Sequence, residues 1–261
     1  MRVLICAPLE RAGFVNGFST RLGGVSNFPE NSLNLAGYDD DTAENIAENR
    51  RRFLNVFAGE WRLASNWQTH SDLIRHVQTD EDAADGNYKM DALVSDIPGI
   101  LLGAKTADCV PVLLGDPQTG AFAAIHAGWR GTAAAIVPKT IAQMQEKFAT
   151  NPANLIAAIG AAASGKNYEV GTDVIEIFQQ NFPENYRELF TPTRENHAFV
   201  DLFRANQNQL TTSGVKPENI YTAPFCTMER TDLFFSYRQE KKLYGKTGRL
   251  IAVVGRQKNA Y

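Results

Sequence analysis

One segment, residues 105–132, constrains the fold more than any other part of the chain, and it reads KTADCVPVLLGDPQTGAFAAIHAGWRGT. Two short apolar runs, Val110–Leu114 and Ala121–Ile125, flank the polar stretch GDPQTG, which contains both Gly and Pro. Apolar runs separated by turn residues are typical of two strands joined by a turn. The segment therefore predicts a β-hairpin.

The register of this hairpin decides which polar side chains meet at its open end. If Leu114 pairs with Ala121 in an antiparallel ladder, Cys109 lies opposite His126. Directly opposed side chains share one face of the sheet, with Cβ atoms about 4.5–5.5 Å apart. A thiol and an imidazole at that separation can share a metal ion or a proton.

The turn after His126 predicts an anion site. The sequence AGWRG supplies two glycines, and a helical stretch is expected from Thr132 to Ala149, kinked or begun at Pro138. Free N–H groups at a helix start attract anions. Arg130 adds a fork-shaped cation suited to phosphate or carboxylate.

Two further elements are predicted with a bearing on function. The spacing of apolar residues predicts a helix over Thr42–Phe57, capped by Asp41. Arg50 lies on the apolar face of this helix, where its side chain either covers the apolar surface or reaches into a pocket. His70 lies in QTH, where a strand is expected to end. Near the C-terminus, Leu233–Tyr237 is predicted as a strand.

Composition excludes several classes of protein. The 261 residues fit one large domain or two small ones, and the net charge of −3 provides no basic face for nucleic acid. Three widely spaced cysteines do not form a disulfide framework, so a reducing cytoplasm is the simplest compartment. The N-terminus has too short an apolar run for a signal peptide, and no stretch is long enough to span a membrane.

These features occur together in a known family, and the chain resembles the bacterial laccase-domain proteins. That family is also called the multicopper polyphenol oxidase domain family, and its members are now often described as zinc-dependent purine nucleoside phosphorylases. The resemblance covers nearly the whole chain, and TADC followed by HAGWRG is its specific part. The blocks, in order, are GFSTRLGGVS, NWQTHSD, MDALVS, TADCVPVLL, HAGWRGT, NYEVG, CT and FFSYR.

The resemblance implies an α/β (α+β) fold over residues 1–261. The expected architecture is a single layered α/β/β/α domain with mixed sheets, similar to the catalytic domain of a deamidating toxin that uses a Cys–His pair. It also implies that His70, Cys109 and His126 are both the metal ligands and the catalytic residues. Family members usually have a Gly-Pro-x-Ile-Gly-Pro run before YEVG, whereas this chain reads GAAASGKN from Gly160 to Asn167.

The implied activity is zinc-dependent phosphorolysis of adenosine, inosine, guanosine or methylthioadenosine to the base and (methylthio)ribose 1-phosphate, with adenosine deamination. Three nitrogen and sulfur ligands suit zinc and leave a fourth position open; copper ranks second. The expected substrate-binding residues are Arg130 first, followed by Arg50, Arg21 and Arg238. The expected partners are a purine nucleoside and phosphate, and no binding to nucleic acid or membrane is expected. The protein is expected to be a monomer or a homodimer.

Alternative functions remain open at this point. His126 could deprotonate Cys109 for attack on an amide or ester, which would make the protein a Cys–His hydrolase. A purine-binding protein without activity is another reading. A copper polyphenol oxidase ranks last, because the chain has four histidines in total and no His-x-His pair, too few for a full multicopper centre.

Overall fold

Sixteen strands and seven α-helices form within the part of the chain that the computed structural model describes, residues 1–36, 41–83, 88–184 and 186–258. The strands are β1 (Val3–Leu4), β2 (Phe14–Ser19), β3 (Leu22–Asn27), β4 (Glu30–Ser32), β5 (Arg62–Ser65), β6 (Ile74–His76), β7 (Ala92–Ser95), β8 (Ile100–Thr106), β9 (Val110–Gly115), β10 (Phe122–Ala127), β11 (Ile156–Ile159), β12 (Glu169–Gly171), β13 (Phe190–Pro192), β14 (His197–Val200), β15 (Ile220–Thr222) and β16 (Leu250–Arg256). The α-helices are α1 (Ala7–Arg11), α2 (Ala43–Leu54), α3 (Trp129–Ala133), α4 (Ile136–Phe148), α5 (Thr172–Asn181), α6 (Leu202–Thr212) and α7 (Tyr237–Tyr244). None of these helices has the length and apolar character needed to cross a bilayer.

Two large sheets form the centre of the structure. One has the strand order β1-β2-β16-β8-β5, and the other has the order β15-β11-β9-β10-β7-β6. Most neighbouring strands are antiparallel, whereas β5–β8, β6–β7 and β11–β15 are parallel pairs. Both sheets are therefore mixed, as expected.

The hydrophobic core lies in three layers. Between the two sheets, Phe18 and Leu102 from the first pack in one cluster with Leu113 and Phe122 from the second. The other face of the six-stranded sheet packs against α4, α5 and α6, and the other face of the five-stranded sheet packs against α2 through Phe53. This order of layers confirms the predicted α/β/β/α class.

The predicted hairpin exists as β9 and β10, but its register differs by two residues from the one expected. His126 pairs with Pro111 rather than with Cys109. The turn is shorter than assumed, because the backbone N–H of Asp116 donates to the carbonyl of Ala121 at 2.8 Å and closes it. Side chains alternate between the two faces with a period of two, so a shift of two residues leaves His126 on the same face as Cys109. Cys109 is then the diagonal neighbour of His126 rather than its direct partner.

The predicted helix over Thr42–Phe57 is α2, which is shorter at its C-terminal end. The cap is Thr42 rather than Asp41, because the Thr42 side chain accepts a hydrogen bond from the backbone N–H of Asn45 at 3.2 Å. Such a bond satisfies one of the free N–H groups at a helix start. Asp41 instead accepts from the backbone N–H of Thr42.

The helical stretch expected from Thr132 begins earlier and is divided in two. A first short helix, α3, starts at Trp129, and Ala135 then adopts a left-handed conformation with φ of 60° before α4 begins. Pro138 lies in the first turn of α4, where its missing N–H costs no helical hydrogen bond.

The predicted strand Leu233–Tyr237 is wrong. Phe234 and Phe235 are both fully buried, so the side chains do not alternate between two faces as they would on a half-buried strand. Ser236 instead caps α7, with its hydroxyl oxygen accepting from the backbone N–H of Gln239 at 3.3 Å. Burial of two consecutive rings depends on tertiary contacts, which local alternation does not reveal.

Candidate functional site

Three side chains from separate segments converge at the ends of the central strands. His70 lies between β5 and β6, Cys109 directly precedes β9, and His126 lies in β10. One donor atom from each lies within 4.8 Å of the others. The Sγ atom of Cys109 is 3.7 Å from Nε2 of His70, and the two imidazole rings have centroids 4.9 Å apart. The structure therefore brings together the three residues that were predicted as ligands.

A buried carboxylate, Asp91, orients two of these residues. Its Oδ1 atom accepts from the backbone N–H of His70 at 3.0 Å and lies 2.8 Å from Nδ1 of His126. Its Oδ2 atom accepts from the backbone N–H groups of Thr69 and Ser71 and from the Ser71 hydroxyl. With Nδ1 of His126 engaged, Nε2 is the nitrogen available to the cluster, an arrangement common behind metal-binding histidines.

Asp91 was not among the residues predicted from the sequence. The signal that could have identified it is its position, because Asp91 is a carboxylate directly before ALVS, which forms the fully buried strand β7. A charge at the edge of a buried strand needs hydrogen-bond partners, which makes it a candidate for orienting other groups.

Backbone conformation also contributes to the convergence. His70 and Asp108 adopt left-handed conformations, with φ of 60° and 83°, which are uncommon for residues other than glycine. A Cβ atom at Gly128 would lie 2.8 Å from Cδ2 of His70 and 3.0 Å from Sγ of Cys109. Glycine at position 128 is therefore needed for the close approach of the chain to the cluster.

Cys109 and His126 influence each other's protonation. Burial raises the pKa of the Cys109 thiol, but the charge of His126 and hydrogen bonds from His126 and His70 outweigh it and lower the pKa to about 6. Burial lowers the pKa of His126, but the charge of Cys109 and the hydrogen bond to Asp91 raise it to about 9. The cluster thus favours a thiolate at neutral pH, which is the form that binds metals.

The donor set fits a metal ion. A thiolate and two imidazole nitrogens are ligands that zinc prefers, and three protein ligands leave a fourth position for a substrate or water. His70 is exposed and Cys109 is partly exposed, so solvent reaches the cluster from that side. Within the described residues, this is the group of histidines, cysteines and carboxylates whose spacing could hold an ion.

The remaining histidines and cysteines that are described lie in other surroundings. The ring of His76 packs edge-on against Phe148, with centroids 5.2 Å apart. Cys226 is buried, and its sulfur accepts from the backbone N–H of Ser164 at 3.3 Å. These contacts favour structural roles for His76 and Cys226.

A second feature, which we call the arginine pocket, is a cavity of about 360 Å³. The guanidinium of Arg130 stacks on Trp129 with its Cζ atom 4.2 Å from the ring centroid. Arg238 lies over Tyr168 at 4.7 Å, and its Nη1 donates to the carbonyl of Glu169 at 2.7 Å. The residues lining the pocket include Trp129, Arg130, Tyr168, Glu169, Arg194 and Arg238.

The arginine pocket adjoins the His–Cys–His cluster. Burial, and next the charge of Cys109, raise the pKa of the Tyr168 hydroxyl to about 12. Trp129, on the pocket wall, directly follows Gly128, which contacts His70 and Cys109. The pocket and the cluster are therefore joined through two consecutive residues, Gly128 and Trp129.

Two of the four predicted substrate-binding arginines do not line this pocket. Arg21 is only 6% exposed, its Nη2 forms an ion pair with Glu240 at 2.8 Å, and its Nη1 donates to the carbonyl of Thr231 at 2.6 Å. Arg50 donates from Nη2 to the carbonyl of Ala36 at 3.2 Å. The contacts of Arg21 join the segment before β3 to α7, and the substrate-binding roles of Arg21 and Arg50 stay predictions.

The fold and the cluster together define a layered α/β/β/α protein with a metal-type donor set at its strand ends. The chain belongs to the multi-copper polyphenol oxidoreductase laccase family, whose model matches residues 15–257. It is 38% identical to a purine nucleoside phosphorylase of Deinococcus radiodurans, over 95% of this chain and 92% of that protein. It is 33% identical to a purine nucleoside phosphorylase of Staphylococcus aureus, over 97% and 96% of the two chains.

A solved structure shares this fold. The crystal structure of YlmD from Geobacillus stearothermophilus superposes with a TM-score of 0.90 at 32% identity, covering 99% of this chain and 97% of that one. The family that the sequence motifs suggested is thereby confirmed, and so is its fold.

Proposed function

We propose that this chain is a zinc-dependent purine nucleoside phosphorylase that also deaminates adenosine. The observation that carries the proposal is a His–Cys–His donor cluster beside a pocket lined by arginines. The names of the relatives from Deinococcus radiodurans and Staphylococcus aureus support it. The proposed substrates are adenosine, inosine, guanosine and methylthioadenosine, and the products of phosphorolysis are the base and (methylthio)ribose 1-phosphate.

The metal-binding part of the proposal assigns His70, Cys109 and His126 as the ligands. Zinc, when bound, supplies Lewis-acid catalysis at the open coordination position. Asp91 holds His126 through Nδ1 and positions the backbone of His70, so one carboxylate sets the direction of two ligands. Copper is the second choice of metal, because the same donor types also bind copper.

The anion-binding part assigns Arg130 and Arg238 to phosphate. Guanidinium groups bind phosphate through paired N–H···O bonds, and both side chains line a cavity beside the cluster. In phosphorolysis a phosphate oxygen forms a bond to the sugar carbon C1′ while the bond from C1′ to the base nitrogen breaks. The base leaves with the electron pair and takes up a proton.

Tyr168 contributes a hydrogen-bond donor to this site. A tyrosine hydroxyl is protonated at neutral pH, and burial raises the pKa of this one further, to about 12, so it can donate to a substrate oxygen or to the departing base. Its ring packs under the guanidinium of Arg238, which limits where that cation can lie.

A second candidate function is favoured by one specific observation. Asp91, His126 and Cys109 form a series of carboxylate, imidazole and thiol, the arrangement that activates a nucleophile in Cys–His hydrolases. In that case the Cys109 sulfur would attack an amide carbonyl without a metal. The C–N bond would break, the amine would leave with a proton from His126, and water would then hydrolyse the thioester.

The experiment that separates these functions measures metal content and turnover together. Purified protein is analysed for bound zinc and copper, then incubated with each nucleoside with and without phosphate, before and after chelation. We expect about one zinc per chain, release of base only when phosphate is present, and loss of activity on chelation. Absence of phosphate-dependent base release from zinc-loaded protein would contradict phosphorolysis. Amide hydrolysis that survives chelation but not Cys109→Ala would establish the second candidate.

A further inference from the structure

Asp108 is a buried carboxylate at the junction of several segments around the site. The residue is 6% exposed. Its Oδ1 atom accepts from the hydroxyl of Thr227 at 2.7 Å. Its Oδ2 atom accepts from the hydroxyl of Ser236 at 3.0 Å and from the backbone N–H of Arg238 at 2.7 Å. Both carboxylate oxygens are therefore used by protein donors.

The position of Asp108 in the chain connects the two parts of the site. It directly precedes Cys109, and its left-handed backbone, with φ of 83°, turns the chain at that point. Its carboxylate, in contrast, accepts the backbone N–H of Arg238 in the first turn of α7, and Arg238 lines the arginine pocket. A single residue thus lies between a cluster ligand and a cation of the pocket, although the two are far apart in sequence.

We propose that Asp108 is a positioning residue that fixes Arg238 relative to Cys109, and so sets the distance between the metal cluster and the bound anion. The inference rests on the proposed function, in which Arg238 binds phosphate. Asp108 does not act on substrate directly, because it is buried and its oxygens are occupied by Thr227, Ser236 and Arg238.

The contacts of Arg238 explain why an anchor on its backbone matters. Its exposed side chain donates a hydrogen bond to the carbonyl of Glu169 and lies over the ring of Tyr168. The hydroxyls of Thr227 and Ser236 can rotate toward other acceptors, whereas the backbone N–H of Arg238 has a fixed direction. Loss of the Asp108 carboxylate would therefore change the position of Arg238 more than the positions of Thr227 and Ser236.

A double-mutant cycle tests this role. Asp108→Asn, Arg238→Ala and the double variant are compared with wild type for zinc content, melting temperature, phosphate KM and kcat. Phosphate binding to the zinc-loaded proteins is also measured by calorimetry. We expect Asp108→Asn to keep its zinc and to weaken phosphate binding about tenfold, with a smaller change in kcat. In the Arg238→Ala background the same substitution should have no further effect on phosphate affinity, since coupled residues are not additive.

Two further variants keep the test decisive. Thr227→Val removes one donor to the same carboxylate without touching Arg238, and it should lower the melting temperature while leaving phosphate affinity unchanged. Ser236→Ala loosens the attachment of α7 and serves if Asp108→Asn does not fold. It should weaken phosphate binding in the wild-type background but not in Arg238→Ala.

The possible outcomes separate this inference from the proposed function. If Arg238→Ala weakens phosphate binding but Asp108→Asn does not, or if the two effects simply add, the positioning role of Asp108 is wrong and the phosphate role of Arg238 stands. Zinc loss in folded Asp108→Asn would also overturn the role, because the residue would then act through Cys109. If Arg238→Ala binds phosphate as wild type does, the phosphate assignment of Arg238 fails, and the positioning role fails with it.

Discussion

The His–Cys–His cluster and the arginine pocket lie side by side but are held in different ways. In the cluster, His126 is 4% exposed and its ring is aimed by a hydrogen bond to the buried Asp91. In the pocket, Arg130 and Arg238 are exposed and stack on the rings of neighbouring aromatic residues. In the cluster, the ring of His126 and the backbone of His70 are fixed by hydrogen bonds to a carboxylate, whereas the cations of the pocket stack on aromatic rings.

The difference follows from what each part must bind. A metal ion requires donor atoms at defined distances and angles, so ligand orientation has to be set before the ion arrives. An arginine carries its charge at any physiological pH and can adjust its fork to an anion. Substitutions in the cluster should therefore affect metal binding strongly, and substitutions in the pocket should affect only substrate binding.

The largest effect is expected from removing a ligand. Cys109→Ala should reduce zinc from about one ion per chain to background and abolish nucleoside cleavage, because two histidines alone hold zinc weakly. Metal analysis and an activity assay check this. Cys226→Ser is the matched control, because Cys226 is also a free thiol, and serine retains an acceptor for the backbone N–H of Ser164. A zinc-loaded Cys109→Ala protein would show that the ligand assignment is wrong.

A smaller loss is expected when the carboxylate behind the ligands is changed. Asp91→Asn should weaken zinc binding by about 10- to 100-fold, as is common when a partner of a ligating histidine is altered. Competition with a zinc chelator measures the affinity. Asp116→Asn is the control, because Asp116 is equally buried and accepts from Gln118 and Thr119 in the turn between β9 and β10. Equal zinc affinities in the two variants would contradict the role of Asp91.

Adding one methyl group beside the cluster tests how tightly it is packed. In Gly128→Ala the new Cβ would lie 2.8 Å from His70 and 3.0 Å from Cys109, so at least one ligand must move. We expect zinc affinity to fall by about tenfold, which corresponds to ~1.4 kcal/mol. Gly131→Ala, whose Cβ would come no closer than 3.1 Å to the carbonyl of Ser71, should have a smaller effect. Wild-type affinity in Gly128→Ala would show that the cluster is more adaptable than its geometry indicates.

The smallest effect on the metal is expected in the arginine pocket. Arg130→Ala should keep its zinc and raise the phosphate KM by about tenfold, and Arg130→Lys should fall between, since lysine keeps the charge but loses the fork. Arg51→Ala is the control, because Arg51 forms an exposed ion pair with Glu48 and does not line the pocket. Zinc loss in folded Arg130→Ala, or an unchanged phosphate KM, would contradict the division between cluster and pocket.

Several parts of the fold and the site were accessible from the sequence. The hairpin, the helix α2 and the proximity of Cys109 to His126 follow from short patterns, in which apolar spacing and residue type carry the information. His70 joined them as a predicted ligand through the family resemblance. Histidine nitrogen and cysteine sulfur are ligands that zinc prefers, so the identities of His70, Cys109 and His126 indicate which kind of metal they could bind together. The family resemblance supplied the order of layers, which periodicity alone does not determine.

Contacts between residues that are distant in the sequence were decided only by the tertiary structure. The sequence determined which side chains can bind a metal, because that depends on the chemistry of each residue. Asp91 meets His126 across 35 residues, and Asp108 meets Arg238 across 130. Arg21 and Arg130 look alike in sequence, yet one is buried in an ion pair with Glu240 and the other is exposed beside the cluster. Such pairings depend on how the sheets and loops pack in space, and packing is a property of the whole chain rather than of any local pattern.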